Sequence, residues 1–191
     1  MLYWLDGTLP QKGVAVTPAR IELKLTLAEV GIPAPTLATF SERLNVQKKV
    51  YLTQLMGYDL GYRFGWYIRG PYCRELTEDA FTLKDELASG EKDHQLYALS
   101  DEAEAKIGRA KRLWATPTVL GVSHDQWLEL LASVHYLKHI AYFPQGAAKD
   151  FEAVFKTLTA AKSQFRDKKD DVRKAWDRLD EFGLVAAKSL A

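Results

Sequence analysis

The sequence predicts a mainly α-helical protein, with a winged-helix-like core holding a short β element and a helical extension at its C-terminus. Three observations predict it. Apolar residues recur at helical spacing through most of the chain. The run from Tyr62 to Arg69 breaks that period with alternating aromatic residues. Pro117 and Gly121 then interrupt the chain before a second series of amphipathic helices. Residues 1–116 are the expected core with its N-terminal lead-in, and 117–191 the extension packed on it as one compact unit.

The elements follow in order. Gly7, Pro10 and Gly13 punctuate an irregular lead-in. Thr17-Pro18 opens a helix, Thr as the cap and Pro in the first turn, and Pro33 and Pro35 keep it from passing Gly31. Leu23, Leu27 and Val30 form its apolar side, widened by Ile21 and Leu25. Thr39 and Glu42 have capping-box spacing and start a second helix ending near Gly57. Leu44, Tyr51, Leu52 and Leu55 lie on one side of it and Val46 and Val50 on another, so burial on two sides is expected.

Tyr62 to Arg69 reads as one strand, with Tyr62, Phe64, Trp66 and Ile68 on the core face and Arg63, Tyr67 and Arg69 facing out. Gly70-Pro71 reads as the turn that ends it. A helix follows to Ser89-Gly90, with Leu76, Ala80, Phe81, Leu83 and Leu87 inward. Residues 90–95 read as a loop, Leu96 to Leu99 as a short strand, and Ser100 as the cap of the next helix. Beyond Gly121, Ser123 and Gln126 frame a second capping box for a helix burying Trp127, Leu130, Leu131, Val134 and Leu137. After Gly146 one helix carries Phe151, Phe155, Leu158 and Phe165, and another Val172, Trp176, Leu179 and Phe182.

Composition narrows the function classes. At 47% hydrophobic and 27% charged the chain is ordinary globular material. Lys+Arg 26 against Asp+Glu 25 leaves a formal charge of +1, so any nucleic-acid binding needs a local basic patch. Cys73 is the one cysteine, which excludes an intrachain disulfide and a thiolate cluster, as in a reducing compartment. Met1 to Asp6 is apolar but has no basic flank, so no signal peptide is expected. With no apolar run of roughly 20 residues, the expectation is a soluble, cytoplasmic protein with no membrane partner.

The helix Val46-Gln47-Lys48-Lys49-Val50-Tyr51-Leu52-Thr53-Gln54, followed by Gly61-Tyr-Arg-Phe-Gly-Trp-Tyr-Ile-Arg-Gly-Pro-Tyr-Cys-Arg-Glu-Leu76, resembles the Panacea domain family of bacteria and phages, which includes SocA-like antitoxins and YwgA-like proteins. That family reads roughly L-Q-K-[LI]-x-Y-L, then an aromatic strand, then Y-G-P-Y-S-x-E-L. Tyr97-Ala-Leu-Ser100 is similar to the Y-x-L-T that opens the family's next helix. The resemblance covers residues 17–110. Arg69 stands where the family often has Tyr, and Cys73 where it commonly has Ser, exchanging a good cap for a poor one. The resemblance implies a winged-helix-like antitoxin that neutralises a cognate toxin, encoded next door, by direct protein contact. In one branch it implies delivery of the toxin to a protease.

No residue set makes an active site. His135 and His139 are four apart on one helix, but a third metal ligand is missing, and two partly exposed histidines is the expectation. Cys73 sits at a helix start without a positioned base. Gly57, Gly61 and Gly65 do not open a helix as a phosphate loop does. Catalytic residues, metal and cofactors are therefore all expected to be none. Arg63, Tyr67, Arg69, Tyr72 and Arg74 are the expected partner-binding residues, since Tyr and Arg are enriched in interface hot spots. A toxin-binding antitoxin ranks first, a winged-helix DNA-binding regulator second, and an enzyme a distant third. The helix after Gly-Pro-Tyr separates the first two. It sits where a recognition helix would fall, yet carries Glu75, Glu78, Asp79, Asp85 and Glu86 against Arg74 and Lys84, so DNA is an unfavourable partner. Basic residues gather instead at Lys106, Arg109, Lys111 and Arg112.

Overall fold

A computed structural model describes residues 2–4, 18–141 and 149–186 of the chain. Among them the protein is mainly helical with short antiparallel β elements. The order is β1 (Leu2–Trp4), α1 (Pro18–Glu29), α2 (Phe40–Leu55), β2 (Gly65–Tyr67), β3 (Gly70–Tyr72), α3 (Arg74–Ala88), β4 (Tyr97–Leu99), α4 (Asp101–Trp114), α5 (His124–His139), α6 (Phe151–Ala161) and α7 (Lys169–Glu181). No helix among the described residues is long and apolar enough to cross a membrane.

The chain divides into two compact units. One comprises Met1–Arg63 with Cys73–Arg112, the other Phe64–Tyr72 with Leu113–Ala191. Residues 64–72 thus belong with the C-terminal helices, although in sequence they lie inside the expected core of residues 1–116.

In the first unit, β1 pairs antiparallel with β4, Leu2 opposite Leu99 and Trp4 opposite Tyr97. The Thr17 cap expected for α1 lies outside the described residues. Thr39 and Glu42 close the expected capping box at α2: the Thr39 hydroxyl accepts from the Glu42 amide and the Glu42 carboxylate from the Thr39 amide. Both sides of α2 are buried, as its double apolar pattern requires, through Leu44, Val46, Val50, Tyr51 and Leu52. These share the apolar interior of the unit with Leu23, Leu27, Leu76, Leu83 and Ile107. Phe81, expected inward on α3, is exposed. The expected loop 90–95 contains a 3₁₀ turn over Asp93–Leu96, and Ser100 caps α4 by accepting from the Ala103 amide.

The second unit is built on α5. Its Ser123/Gln126 capping box forms as expected. Every residue from Trp127 to Leu137 is buried, so α5 is a central helix wrapped by neighbours and not a one-sided surface helix. The Trp127 indole donates to the Trp114 carbonyl at 3.1 Å, meeting the requirement that a buried N–H find an acceptor. Val154, Leu158, Val172, Ala175 and Leu179 supply the buried faces of α6 and α7. Phe165, expected on the same helix as Phe151, is carried by a separate 3₁₀ turn after α6 and is fully buried.

Candidate partner-binding site

The aromatic segment is a hairpin and not one strand. β2 pairs antiparallel with β3, Gly65 opposite Tyr72 and Tyr67 opposite Gly70, so Ile68 and Arg69 form the turn. Gly70 has φ +82°, matching a tight turn closed by a left-handed glycine. This corrects two expectations. Gly70-Pro71 lies in the returning strand, and Ile68, expected in the core, is 72% exposed at the tip. Once the chain reverses after Tyr67, the period-2 pattern no longer assigns Ile68 to a face.

A polar cluster buried against α5 holds the tip. The Lys162 ammonium and the Glu129 carboxylate, each 1% exposed, meet at 2.5 Å. Lys162 also donates to the Ile68 carbonyl at 2.9 Å and lies over the Trp66 ring. Arg69 approaches the other Glu129 oxygen at 3.5 Å, and the Gln164 amide donates weakly to the first at 3.4 Å. Burial pushes the Lys162 ammonium below its usual pKa, and its bond to Glu129 opposes that shift. Trp66 and Phe64, expected as core, are only half-buried; Trp66 rests against Tyr136 as well as Lys162. Pattern reading missed Glu129 and Lys162. The one available signal was a carboxylate inside the otherwise apolar run Trp127 to Leu131.

Of the five residues expected at a partner surface, Tyr67, Arg69 and Tyr72 come together on the hairpin. Tyr67 is 58% exposed and stacks at a tilt on Tyr72, 5.4 Å between ring centroids. The Arg69 side chain is 46% exposed. Arg63 and Arg74 belong to the first unit, where both are exposed and pair with carboxylates four residues away, Arg63 with Asp59 in the loop before β2 and Arg74 with Glu78 one turn along α3.

In that first unit, two glutamines on α2 hold the chain on either side of the hairpin segment. Gln54 accepts from the Leu60 and Tyr62 amides and donates to the Tyr62 carbonyl. Gln47 accepts from the Cys73 amide and donates to the Cys73 carbonyl and the Thr77 hydroxyl. Cys73 is the residue before α3, as expected, but its buried thiol makes no capping bond; Gln47 satisfies the backbone N–H and carbonyl of Cys73 itself. Two of the α3 carboxylates tie that helix to its own unit: Asp79 accepts from the Tyr62 hydroxyl at 2.8 Å and Glu86 pairs with Arg20 at 2.6 Å.

His135, expected partly exposed, is buried. It stacks on His139, whose Nε2 lies 2.6 Å from the Leu184 carbonyl. Among the described residues no group of three His, Cys, Asp or Glu side chains could hold a metal ion. No family model, curated protein or solved structure matches the chain.

Proposed function

We propose that this chain is an antitoxin-like cytoplasmic protein that neutralises a cognate toxin by direct, non-catalytic contact, with the β2–β3 hairpin as its main recognition element. The observation that carries the reading is the tip itself. Tyr67 and Ile68 are large apolar side chains left exposed on a hairpin whose turn is held from beneath by the buried Lys162–Glu129 ion pair and its bond to the Ile68 carbonyl. Holding a large side chain exposed on a rigid element lowers the ordering cost of binding, which is how interface anchors gain affinity. The Gln47 and Gly-Pro-Tyr motifs that resemble the Panacea domain family support the same reading, and the family's neighbouring toxin and protease partners come with it. The DNA-regulator alternative fares worse on charge, because the helix after the hairpin exposes Glu75, Glu78 and Asp85.

The test is rescue of cells expressing the neighbouring open reading frame. Wild-type protein is expected to restore growth, and a Tyr67→Ala, Arg69→Ala double variant to fail while melting within a few degrees of wild type. Loss of one hot-spot side chain costs about 2 kcal/mol, roughly thirtyfold in affinity. Full rescue by the folded double variant removes the hairpin as the recognition element, and a neighbour that is harmless alone removes the antitoxin reading.

A further inference from the structure

Lys162 has no place in the sequence motifs, yet it makes the shortest buried ionic contact to the hairpin's support. We propose that Lys162 is the positioning residue of the recognition hairpin: anchored on the Glu129 carboxylate, its ammonium carries the Ile68 carbonyl and fixes the tip that presents Tyr67, Ile68 and Arg69. The importance of that tip rests on the functional reading above; the positioning itself does not.

The geometry assigns each contact a direction. The Ile68 carbonyl is a turn carbonyl, and Lys162 meets it from the α6 side at 2.9 Å. Glu129, on α5, fixes the ammonium from the opposite partner at 2.5 Å and takes Arg69 on its second oxygen. Trp66, on the outgoing strand, supplies an aromatic face to the same ammonium at 5.4 Å. One buried cation therefore ties the outgoing strand and the turn to two helices. A buried ion pair is weak evidence for stability, because desolvation offsets most of its attraction, and its best-attested use is to set one arrangement against alternatives. Here the arrangement it sets is that of the hairpin on α5. Gly70, with no side chain, lets the returning strand lie close over Ser133, and Lys162 fixes where along α5 the tip stops.

The experiment is hydrogen exchange on the full chain without partner, comparing wild type with a Lys162→Met, Glu129→Gln double variant. That change removes both charges together at similar shape, so neither is left buried alone. Amides of residues 65–72 are expected to exchange at least about tenfold faster, while those of α5 and α7 change by less than about twofold. Unchanged protection of the hairpin overturns the proposal. So does a uniform rise across α5, α6 and α7, which would make Lys162 a general structural residue. Should the double variant not fold, Lys162→Met alone is the second variant, since Arg69 and Gln164 still meet the Glu129 carboxylate in it, with the same regional pattern expected and the same two outcomes against it. Exchange decides the positioning and growth rescue decides the partner reading, so each can fail without the other.

Discussion

At Gly70 the backbone takes φ +82°, and a Cβ built there would overlap the Ser133 hydroxyl on α5. Both constraints act on one residue, and they can be separated. Gly70→Ala is expected to cost about 3 kcal/mol, combining the left-handed penalty with the overlap. In a Ser133→Gly background the overlap disappears and only the conformational penalty remains, so the cost should fall by about half. Denaturant unfolding of the four proteins reads both terms, and equal costs in the two backgrounds would show that the hairpin does not lie on Ser133. The glycine was legible in the sequence as punctuation, but its use was not. Gly and Pro are the commonest turn residues, so Gly70-Pro71 reads as a turn by default. The close approach that demands a glycine depends on Ser133, far downstream, and no local pattern signals that pairing. Lys162 was hidden for the same reason, an ordinary charged residue until the fold brings it within 2.5 Å of Glu129, whose place in an apolar run was the one local signal.

At the scale of elements, local chemistry carried most of the reading. The Thr39/Glu42 and Ser123/Gln126 boxes satisfy reciprocal donors within three residues, so sequence spacing alone specifies them, and both helices start where that spacing says. Three-residue strands carry no such signal. The partner of β4, the strand opening at Tyr97, is β1 at the other end of the first unit, and nothing in either segment specifies the pairing. The anchoring of elements to one another in the first unit adds a pH dependence. The Tyr62 hydroxyl donates to Asp79, and the Tyr58 hydroxyl donates to Glu22 at 2.7 Å. Burial, reinforced by these carboxylate partners, raises both phenols well above the usual tyrosine range. Each is protonated in the folded state at a pH where the unfolded chain has begun to lose that proton. Their contribution is therefore complete below about pH 10 and declines as pH rises beyond it. Stability against urea should fall between about pH 10 and 11, and Tyr62→Phe should make that fall shallower while costing stability at neutral pH. An unchanged slope in Tyr62→Phe would mean that the phenol is not held protonated by the fold.

For the molecule as a whole, charge decides which partners the surface can attract at long range. Twenty-six basic residues face twenty-five acidic ones, so no net field draws the chain to a phosphate backbone. Duplex binding would then have to come from a local patch, and the position that a recognition helix would occupy is the least suitable. On α3, Glu75, Glu78 and Asp85 are exposed, and Arg74, the cation at its start, already pairs with Glu78 at 2.8 Å. The basic cluster on α4 is partly neutralised too, Lys106 by Glu102 and Lys111 by Glu29, both at 2.7 Å. Exposed pairs of this kind are weak, and phosphates could displace them, but each displacement returns a carboxylate to the neighbourhood of the duplex. Neutralising phosphates and releasing their counterions supplies essentially all non-specific affinity and much of the specific affinity. The expected result is that fluorescence anisotropy with duplex DNA, including the sequence upstream of the chain's own gene, finds no specific complex tighter than about 10⁻⁸ M near 0.15 M salt. Any weak binding at low salt should vanish steeply as salt rises, without preference among sequences. A specific complex that persists at 0.15 M salt, and weakens on Arg109→Ala, Arg112→Ala, would overturn the proposed toxin binding in favour of gene regulation, with α4 and not α3 as the helix that reaches the duplex.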